Sequence, residues 1–401
     1  MEVVPRKRRP YSTLEKLEMK KTLVAIAALA VVGVQAQTSV VLDGYIDRGY
    51  AQTSNSLAAK NAKVIGSNAG TTTFGIKVRE ELSKDLTAGM SVNTDWADVA
   101  GITQDLATVQ NTTTQSGGFA NSQSFADLTS KSMGTLRLGT PNNFTLTNAT
   151  GVASPSFSTG IGSAYSSSYS IANGVGTGST GSAGIASVST SVTTANSVAN
   201  AGQRAIRIAN TIQYSSPVMN GASVHFGKSL KNNNNSTLST VDTVGVTEYA
   251  LRYTNGPVDA MYTTVKYETP TLATLNATVV ATTSTQNLLG ASYAIMPTLK
   301  LHAGTGTFTS TSDTYKGTSN QMGVTFTSGS FTLMGQSSSV DDKSTTNMDR
   351  KMTGIGVDYA LSKTARAYYR YDSINYNTNQ ATSTAEGTTQ KRSAIGFSRS
   401  F

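Results

Sequence analysis

Apolar and polar residues alternate with a period of two along most of the chain. In residues 86–96 the two sides of an extended segment separate an apolar set from a small polar set: Leu86, Ala88, Met90, Val92, Thr94 and Trp96 against Thr87, Gly89, Ser91, Asn93 and Asp95. Similar alternation recurs in residues 39–47, 73–79, 206–214, 353–361 and 365–371. Because successive side chains of a β-strand point to opposite faces, the pattern predicts many antiparallel strands.

The polar faces of these segments consist mainly of Gly, Ser, Thr and Asn with scattered charges. Soluble antiparallel sheets also alternate, so the period alone does not separate a soluble sheet from a membrane barrel. Small polar faces make a poor protein core but suit the wall of a water-filled lumen, with the apolar faces turned to lipid. The segments have roughly the 9 to 11 residues that a tilted strand needs to cross a bilayer. The pattern therefore favours a closed transmembrane β-barrel, in which every backbone ladder is paired.

The beginning of the chain predicts a secretory signal peptide. Lys20 and Lys21 precede an apolar run from Leu23 to Val34, and small or medium residues follow up to Ala36. The run is shorter than the roughly 20 residues of a transmembrane helix, so a permanent anchor is the weaker alternative. We therefore expect residues 1–36 to be a signal peptide that is removed.

Charge and cysteine content exclude several classes of function. Residues 1–36 carry seven of the 32 basic residues and three of the 23 acidic ones, so residues 37–401 have a net charge of only +5. This small excess gives no basis for nucleic-acid binding. The absence of Cys excludes disulfides and thiolate metal sites.

Met19 looks like the natural start of the chain, which would make residues 1–18 a mis-assigned upstream extension. An unusually long basic leader is the alternative.

Residues 141–203 form the longest stretch without a strand pattern. These 63 residues contain no charged side chain and are rich in Ser, Gly, Thr and Ala. An irregular stretch of this length usually has a function or is disordered. It also supports an alternative, a surface-exposed β-rich adhesin or passenger protein, although the fixed repeat of a solenoid is absent.

An enzyme is not expected, because the sequence has neither a Gly-x-Ser-x-Gly elbow nor a His-Glu-x-x-His helix. No cofactor is expected either.

Six short motifs resemble those of the general diffusion porins of Gram-negative bacteria, and most of all the β-proteobacterial type. They are QTSVVLDGYID (37–47), FGIKVREEL (74–82), GTLRLG (134–139), NTIQYSSP (210–217), DYALSK (358–363) and GFSRSF (396–401). Each motif is weak alone, but six in the right order are specific. The resemblance implies an all-β fold: a closed antiparallel transmembrane β-barrel of about 16 strands in residues 37–401, with a long loop folded into the pore and three chains in each assembly.

The function implied by the resemblance is passive diffusion of small hydrophilic solutes and ions across the outer membrane. The constriction loop would be contained in residues 141–203, because strands lie on both sides. Family loops usually carry carboxylates that face a basic wall, whereas this loop has none. A basic wall opposite a neutral loop predicts a weak to moderate preference for anions and small acidic solutes.

Alternation assigns the charged residues of the predicted strands to the lumen. The candidates for pore lining and constriction are Lys77, Arg79, Arg137, Arg207, Arg366 and Arg370. Among them, Lys77 and Arg207 match positions where the family has basic constriction residues. The same alternation makes an opposing acidic set of Asp43, Asp47, Asp95, Glu248 and Asp358, and makes His225 and His302 solvated wall residues.

The chain ends on an apolar alternation of Ile395, Phe397 and Phe401. The resemblance implies that this ending is the signal read by the barrel-assembly machinery. It also implies that the last strand closes the barrel against the first, at Val40, Leu42 and Ile46. Outer-membrane lipid and lipopolysaccharide are the other implied partners.

Overall fold

The computed structural model describes residues 38–55, 62–95, 122–157, 160–164, 210–229, 245–268, 272–273, 278–279, 283–310, 316–343, 349–376 and 389–401. Several predictions lie outside these residues: the signal peptide at 1–36, Arg207 and residues 165–203 of the candidate loop. The described residues are dominated by antiparallel strands, with a single short helical segment.

The strands are β1 (Thr38–Asn55), β2 (Ala62–Gly66), β3 (Thr73–Glu81), β4 (Leu86–Asp95), β5 (Ser124–Ser130), β6 (Gly134–Thr140), β7 (Thr211–Ser215), β8 (Ala222–Ser229), β9 (Gly245–Asn255), β10 (Val258–Glu268), β11 (Leu272–Ala273), β12 (Thr278–Val279), β13 (Thr283–Met296), β14 (Leu299–Ser310), β15 (Lys316–Ser328), β16 (Phe331–Asp342), β17 (Arg350–Ala360), β18 (Ala365–Tyr376) and β19 (Thr389–Ser400). The helical segment is α1 (Phe144–Thr147), continued by a π-helical turn (Asn148–Val152). No helix in the described part of the chain is long and apolar enough to cross a membrane.

Seventeen strands form one sheet that closes on itself where β1 pairs with β19, while β11 and β12 pair only with each other. Both β2 and β3 pair antiparallel with β1 on the same side, so they occupy one position in the barrel wall. Residues 67–72 interrupt that position between the two strands. The barrel therefore has sixteen strand positions, and the predicted fold is confirmed.

The closing seam uses a different part of β1 from the one expected. Residues Tyr45–Asn55 of β1 pair with β19, and Ile46 lies opposite Arg399. Val40 and Leu42 pair instead with β3, so their predicted pairing with the last strand is wrong. The reason is the stagger of a tilted barrel: the two neighbours of one strand cover different parts of its length.

Lipid-facing and lumen-facing residues alternate as the sequence predicts. In β17 the side chains of Thr353, Ile355 and Tyr359 are exposed on the outside, while Gly356 and Asp358 are buried inside. The three terminal apolar residues also lie on the outer face, where Ile395 is 63%, Phe397 66% and Phe401 50% exposed. The outer surface is thus apolar, as a lipid-embedded barrel requires.

Clusters of buried apolar residues lie inside the barrel. Phe144 and Val152 pack on Ala250 and Met261 of the wall, and Leu146 packs near Leu288. Further along, Ile161 joins a cluster of Ala51, Ala69, Tyr368 and Ala394. The chain that follows β6 therefore lies against the inner wall and fills part of the lumen.

Candidate functional site: the lumen and the inward segment

Residues 141–157 and 160–164 fold into the barrel, and we call them the inward segment. It follows the inner wall through a series of contacts, from Gln213 of β7, which donates to the carbonyl of Asn142, to Asp372 of β18, which accepts from the backbone N–H of Gly162. Near its far end, the N–H of Ile161 donates to the carbonyl of Asn68 in residues 67–72. The segment thus spans ten of the sixteen strand positions, from β7 to β18.

The start of the inward segment is held by the carboxylate of Glu248 on β9. It accepts hydrogen bonds from the backbone N–H groups of Phe144 (2.9 Å) and Thr145 (2.7 Å) and from the Thr145 hydroxyl. The side chain of Asn143 caps α1 by accepting from the N–H of Leu146. Glu248 is therefore buried by the segment and does not line the water-filled pore, in contrast to its assignment from alternation.

Amide side chains hold the middle of the segment. Asn148 donates to the carbonyls of Met261 (2.9 Å) and Leu288 (3.0 Å) on two neighbouring strands. On β15 and β16, Gln321 donates to the carbonyl of Ala153 at 2.9 Å, and Gln336 bonds to Ser154. Each of these backbone and amide groups is buried, so its hydrogen bond offsets the cost of leaving water.

His302 belongs to the same set of contacts and not to the solvated wall. Its Nδ1 lies 3.2 Å from the carbonyl oxygen of Val152, and the residue is buried. His225 is half-buried, with its ring 4.7 Å from the ring of Phe144. The prediction that both histidines are solvated is therefore wrong for His302, because the inward segment covers it.

Glycines in the wall allow the segment to approach closely. A Cβ at Gly323 of β15 would lie 2.5 Å from Cδ of Pro155, and one at Gly356 of β17 would lie 2.7 Å from a ring carbon of Phe157. Real Cβ atoms do not make such contacts, so any larger residue would displace the segment. Alternation suggested that the small residues of the inner face line a water-filled lumen. Here they allow the inward segment to pack closely against the wall.

Asp47 also has a role that alternation did not predict. Its carboxylate accepts from the backbone N–H groups of Asn68, Ala69 and Gly70 at 2.6–3.1 Å and from the hydroxyl of Tyr368 at 2.6 Å. These bonds hold residues 67–72 inside the barrel, next to the far end of the inward segment. Asp47 is fully buried and does not face the pore.

Three candidate pore residues lie on β3 and β6, and two of them pair with carboxylates. Lys77 forms an ion pair with Asp43, and Arg79 forms one with Asp127. Arg137 donates to the side-chain oxygen of Gln213 at 3.2 Å, and its guanidinium lies 5.2 Å from the ring centre of Phe125. These three basic residues lie together on one part of the wall.

The other two described candidates lie on β18 and share one carboxylate. Arg366 and Arg370 approach Asp358 at 3.0 Å and 2.6 Å. Arg366 remains partly exposed, but Arg370 is only 1% exposed, because Phe157 and Tyr368 cover it. The structure thus corrects the expectation that Arg370 lines the open pore: it faces inward, but beneath the inward segment.

Several residues that shape the lumen carried no sequence signal of their own. Asp127, Gln321 and Gln336 lie at inward positions of alternating strands, as many other polar residues do. Their partners are up to 182 residues away in the chain, and only the closed barrel brings them together. Within the described residues, no group of three or more His, Asp or Glu side chains is arranged to hold a metal ion.

A family comparison decides what kind of barrel this is. Residues 22–379 match the family described as Gram-negative porin. The chain belongs to the Gram-negative porin family. It is therefore an outer-membrane β-barrel of a Gram-negative bacterium and forms a diffusion channel. The alternative of a surface-exposed adhesin is not supported, because neither the family nor the fold agrees with it.

Solved structures show which barrels this porin is similar to in fold. An anion-selective porin from Comamonas acidovorans has a TM-score of 0.67 at 20% identity, with 91% of this chain and 100% of that chain covered. OmpF of Salmonella typhi has a TM-score of 0.57 at 15% identity, covering 90% and 97%. OmpT of Vibrio cholerae, in a trimer form, has a TM-score of 0.57 at 12% identity, covering 91% and 99%. No curated protein sequence matches this porin.

Proposed function

We propose that this porin is a general diffusion channel with a weak to moderate preference for anions and small acidic solutes. Its lumen-facing bases include Lys77, Arg79, Arg137 and Arg366. The described inward segment that shares the lumen with them has no charged residue. Solutes that pass between them would therefore meet positive charge on one side without an opposing acidic loop.

The observation that carries this proposal is the unequal exposure of the two partners in three lumen ion pairs. Lys77 is 40% exposed against 33% for Asp43, Arg79 is 38% exposed against 2% for Asp127, and Arg366 is 40% exposed against 8% for Asp358. Water in the pore contacts the cations more than the carboxylates. Pairing nevertheless removes most of the net charge, so we expect the preference to be modest and sensitive to salt.

The similarity in fold to a porin described as anion-selective agrees with this proposal. Arg207 remains a predicted constriction residue, although it lies outside the described residues. We also propose that residues 141–203 as a whole form the constriction loop, of which the inward segment is the first part.

Reversal potentials in a salt gradient across a planar bilayer test the proposed selectivity. The refolded porin should prefer chloride over potassium at low ionic strength, and less so at high ionic strength. Arg137→Gln should reduce that preference, whereas Lys84→Gln, which removes a charge from an exposed turn, should not. Cation preference of the parent protein at low ionic strength would refute the proposal.

We propose three partners in addition to the diffusing solutes. The porin would assemble as a homotrimer, as the trimer form of OmpT does. Its apolar outer face would contact outer-membrane lipid and lipopolysaccharide, and its C-terminal Ile395, Phe397 and Phe401 would be read by the barrel-assembly machinery. Chemical cross-linking in detergent, followed by mass determination, would show three chains if the first of these proposals holds and one chain if it does not.

A further inference from the structure

Asp127 lies in the middle of a row of directly paired residues on the lumen wall. Arg79 of β3 is paired with Gly89 of β4, Gly89 with Asp127 of β5, and Asp127 with Arg137 of β6. Directly paired residues of an antiparallel sheet have their Cβ atoms about 4.5–5.5 Å apart. The carboxylate is therefore flanked by two guanidinium groups in one row.

Gly89 makes the contact between Arg79 and Asp127 possible. A Cβ at this position would lie 2.8 Å from both Cζ of Arg79 and Oδ1 of Asp127. Because the glycine has no side chain, Arg79 crosses β4 and forms an ion pair with the Oδ2 atom of Asp127. The arrangement of Arg, Gly, Asp and Arg across four strands is thus built for this contact.

The carboxylate is covered while the cation that covers it is exposed to the pore. The side chain of Asp127 is 2% exposed, and that of Arg79 is 38% exposed. Oδ2 also accepts from the Thr129 hydroxyl at 3.4 Å, whereas Oδ1 is buried with no hydrogen-bond partner among the described residues. Asp127 therefore contributes negative charge to the wall without presenting its oxygens to water.

The same row continues to the anchor of the inward segment. Arg137 is paired with Gln213, Gln213 with Gly227, and Gly227 with Glu248. Gln213 accepts from Arg137 at 3.2 Å and donates to the carbonyl of Asn142, so the inward segment begins to narrow the lumen beside the guanidinium that neighbours Asp127. A wall charge acts most strongly on passing ions where the lumen is narrow. Each ion then passes within the Debye length of the charge, which is about 10 Å at 0.1 M salt.

We propose that Asp127 is a specificity-determining residue that limits the anion preference of this porin. Its carboxylate compensates one of the two guanidinium charges of Arg79 and Arg137, so the pore carries one net positive charge here instead of two. This inference rests on the function as a diffusion channel. It concerns how the selectivity changes when Asp127 loses its charge, and not whether the parent protein prefers anions or cations.

The test is the anion-to-cation permeability ratio of Asp127→Asn, measured from reversal potentials of the refolded full barrel. Asn keeps the size of the side chain and removes the charge. We expect the ratio to rise about two- to fourfold near 0.1 M salt and to return towards the parental value near 1 M. The double variant Arg79→Gln with Asp127→Asn restores the net charge and should restore the parental ratio.

Asp341→Asn is the matched control. Asp341 lies at the end of β16 on its outward-facing side, is exposed, and pairs with Lys343 at 3.6 Å. The substitution removes one carboxylate charge outside the lumen, so the control should shift the ratio less than Asp127→Asn does.

Two outcomes would overturn the proposal: an unchanged ratio in Asp127→Asn, or an equal rise in Asp341→Asn. A rise that persists in the double variant would also overturn it, because the effect would then not be one of charge. Should Asp127→Asn not refold, Asp127→Ser removes the same charge with less bulk and must give the same rise. If the parent prefers cations but Asp127→Asn shifts towards anions, the proposed selectivity fails while this inference holds.

Discussion

Replacing Gly323 by Ala should displace the inward segment from the wall. The new Cβ would lie 2.5 Å from Cδ and 2.6 Å from Cγ of Pro155, whereas ordinary contacts begin at 3.4 Å. The proline ring cannot rotate away, so the segment must move by about 0.9 Å towards the lumen. Overpacking of this kind typically costs about 1–3 kcal/mol.

The displacement also strains the hydrogen bonds that hold the chain just before Pro155. Gln321 donates to the carbonyl of Ala153 at 2.9 Å, and a shift of this size would lengthen that bond beyond hydrogen-bond range. Its loss adds about 1 kcal/mol, which brings the total to about 2–4 kcal/mol. Because the chain is pushed away from the wall, we expect a lower single-channel conductance and more open-channel noise.

The assay is single-channel recording in planar bilayers, with Gly335→Ala as the matched control. Gly335 lies on the neighbouring strand, where a Cβ would meet only Cγ1 of Val324 at 3.5 Å, an ordinary contact. The control should retain the parental conductance and noise, and both variants should keep the migration of a folded barrel in unheated gels. Parental conductance and noise in Gly323→Ala would refute the close packing described here.

Three other substitutions test separate parts of the structure. Glu248→Gln turns an NH₂ group towards backbone donors, which costs about 1–3 kcal/mol, and should increase open-channel noise; noise equal to the parent's would contradict the anchoring role. The backbone of Phe401 pairs with Gly44 at the barrel seam, and Phe401 and Phe331 are both 50% exposed. Phe401→Ala should nevertheless lower the folded yield in membranes more than Phe331→Ala does. Equal yields would argue against a role for the terminal ring. Hydrogen bonds from Ser130 and Ser132 lower the pKa of Asp85, so its stabilising effect is present above the ordinary carboxyl pKa and lost as pH falls through the lowered value. Asp85→Asn should therefore unfold at a lower temperature than the parent at neutral pH and at the same temperature in strong acid, and a gap independent of pH would exclude this explanation.

The alternation of residues determined which face of the wall each described side chain occupies. Ile355 and Phe397 lie outside, and Arg79 and Arg366 lie inside, because the parity of a strand position depends only on the pleat. The family motifs at both ends and around β6 and β7 further placed the chain in a closed barrel with an inward loop. Parity and motifs were therefore sufficient to predict the architecture and to predict whether most charged side chains point into the barrel or out of it.

Only the tertiary structure decided what each inward side chain meets. Arg79 and Arg370 have the same parity, yet one is exposed to the pore and the other is covered by Phe157. Glu248 anchors a chain segment about 100 residues away, and Asp127 is reached by Arg79 because Gly89 leaves a gap between them. Such contacts depend on the stagger of the strands and on the path of the inward segment, which no local pattern encodes. The sequence thus determined inside and outside, whereas strand register and the inward segment decided which inward residues face water.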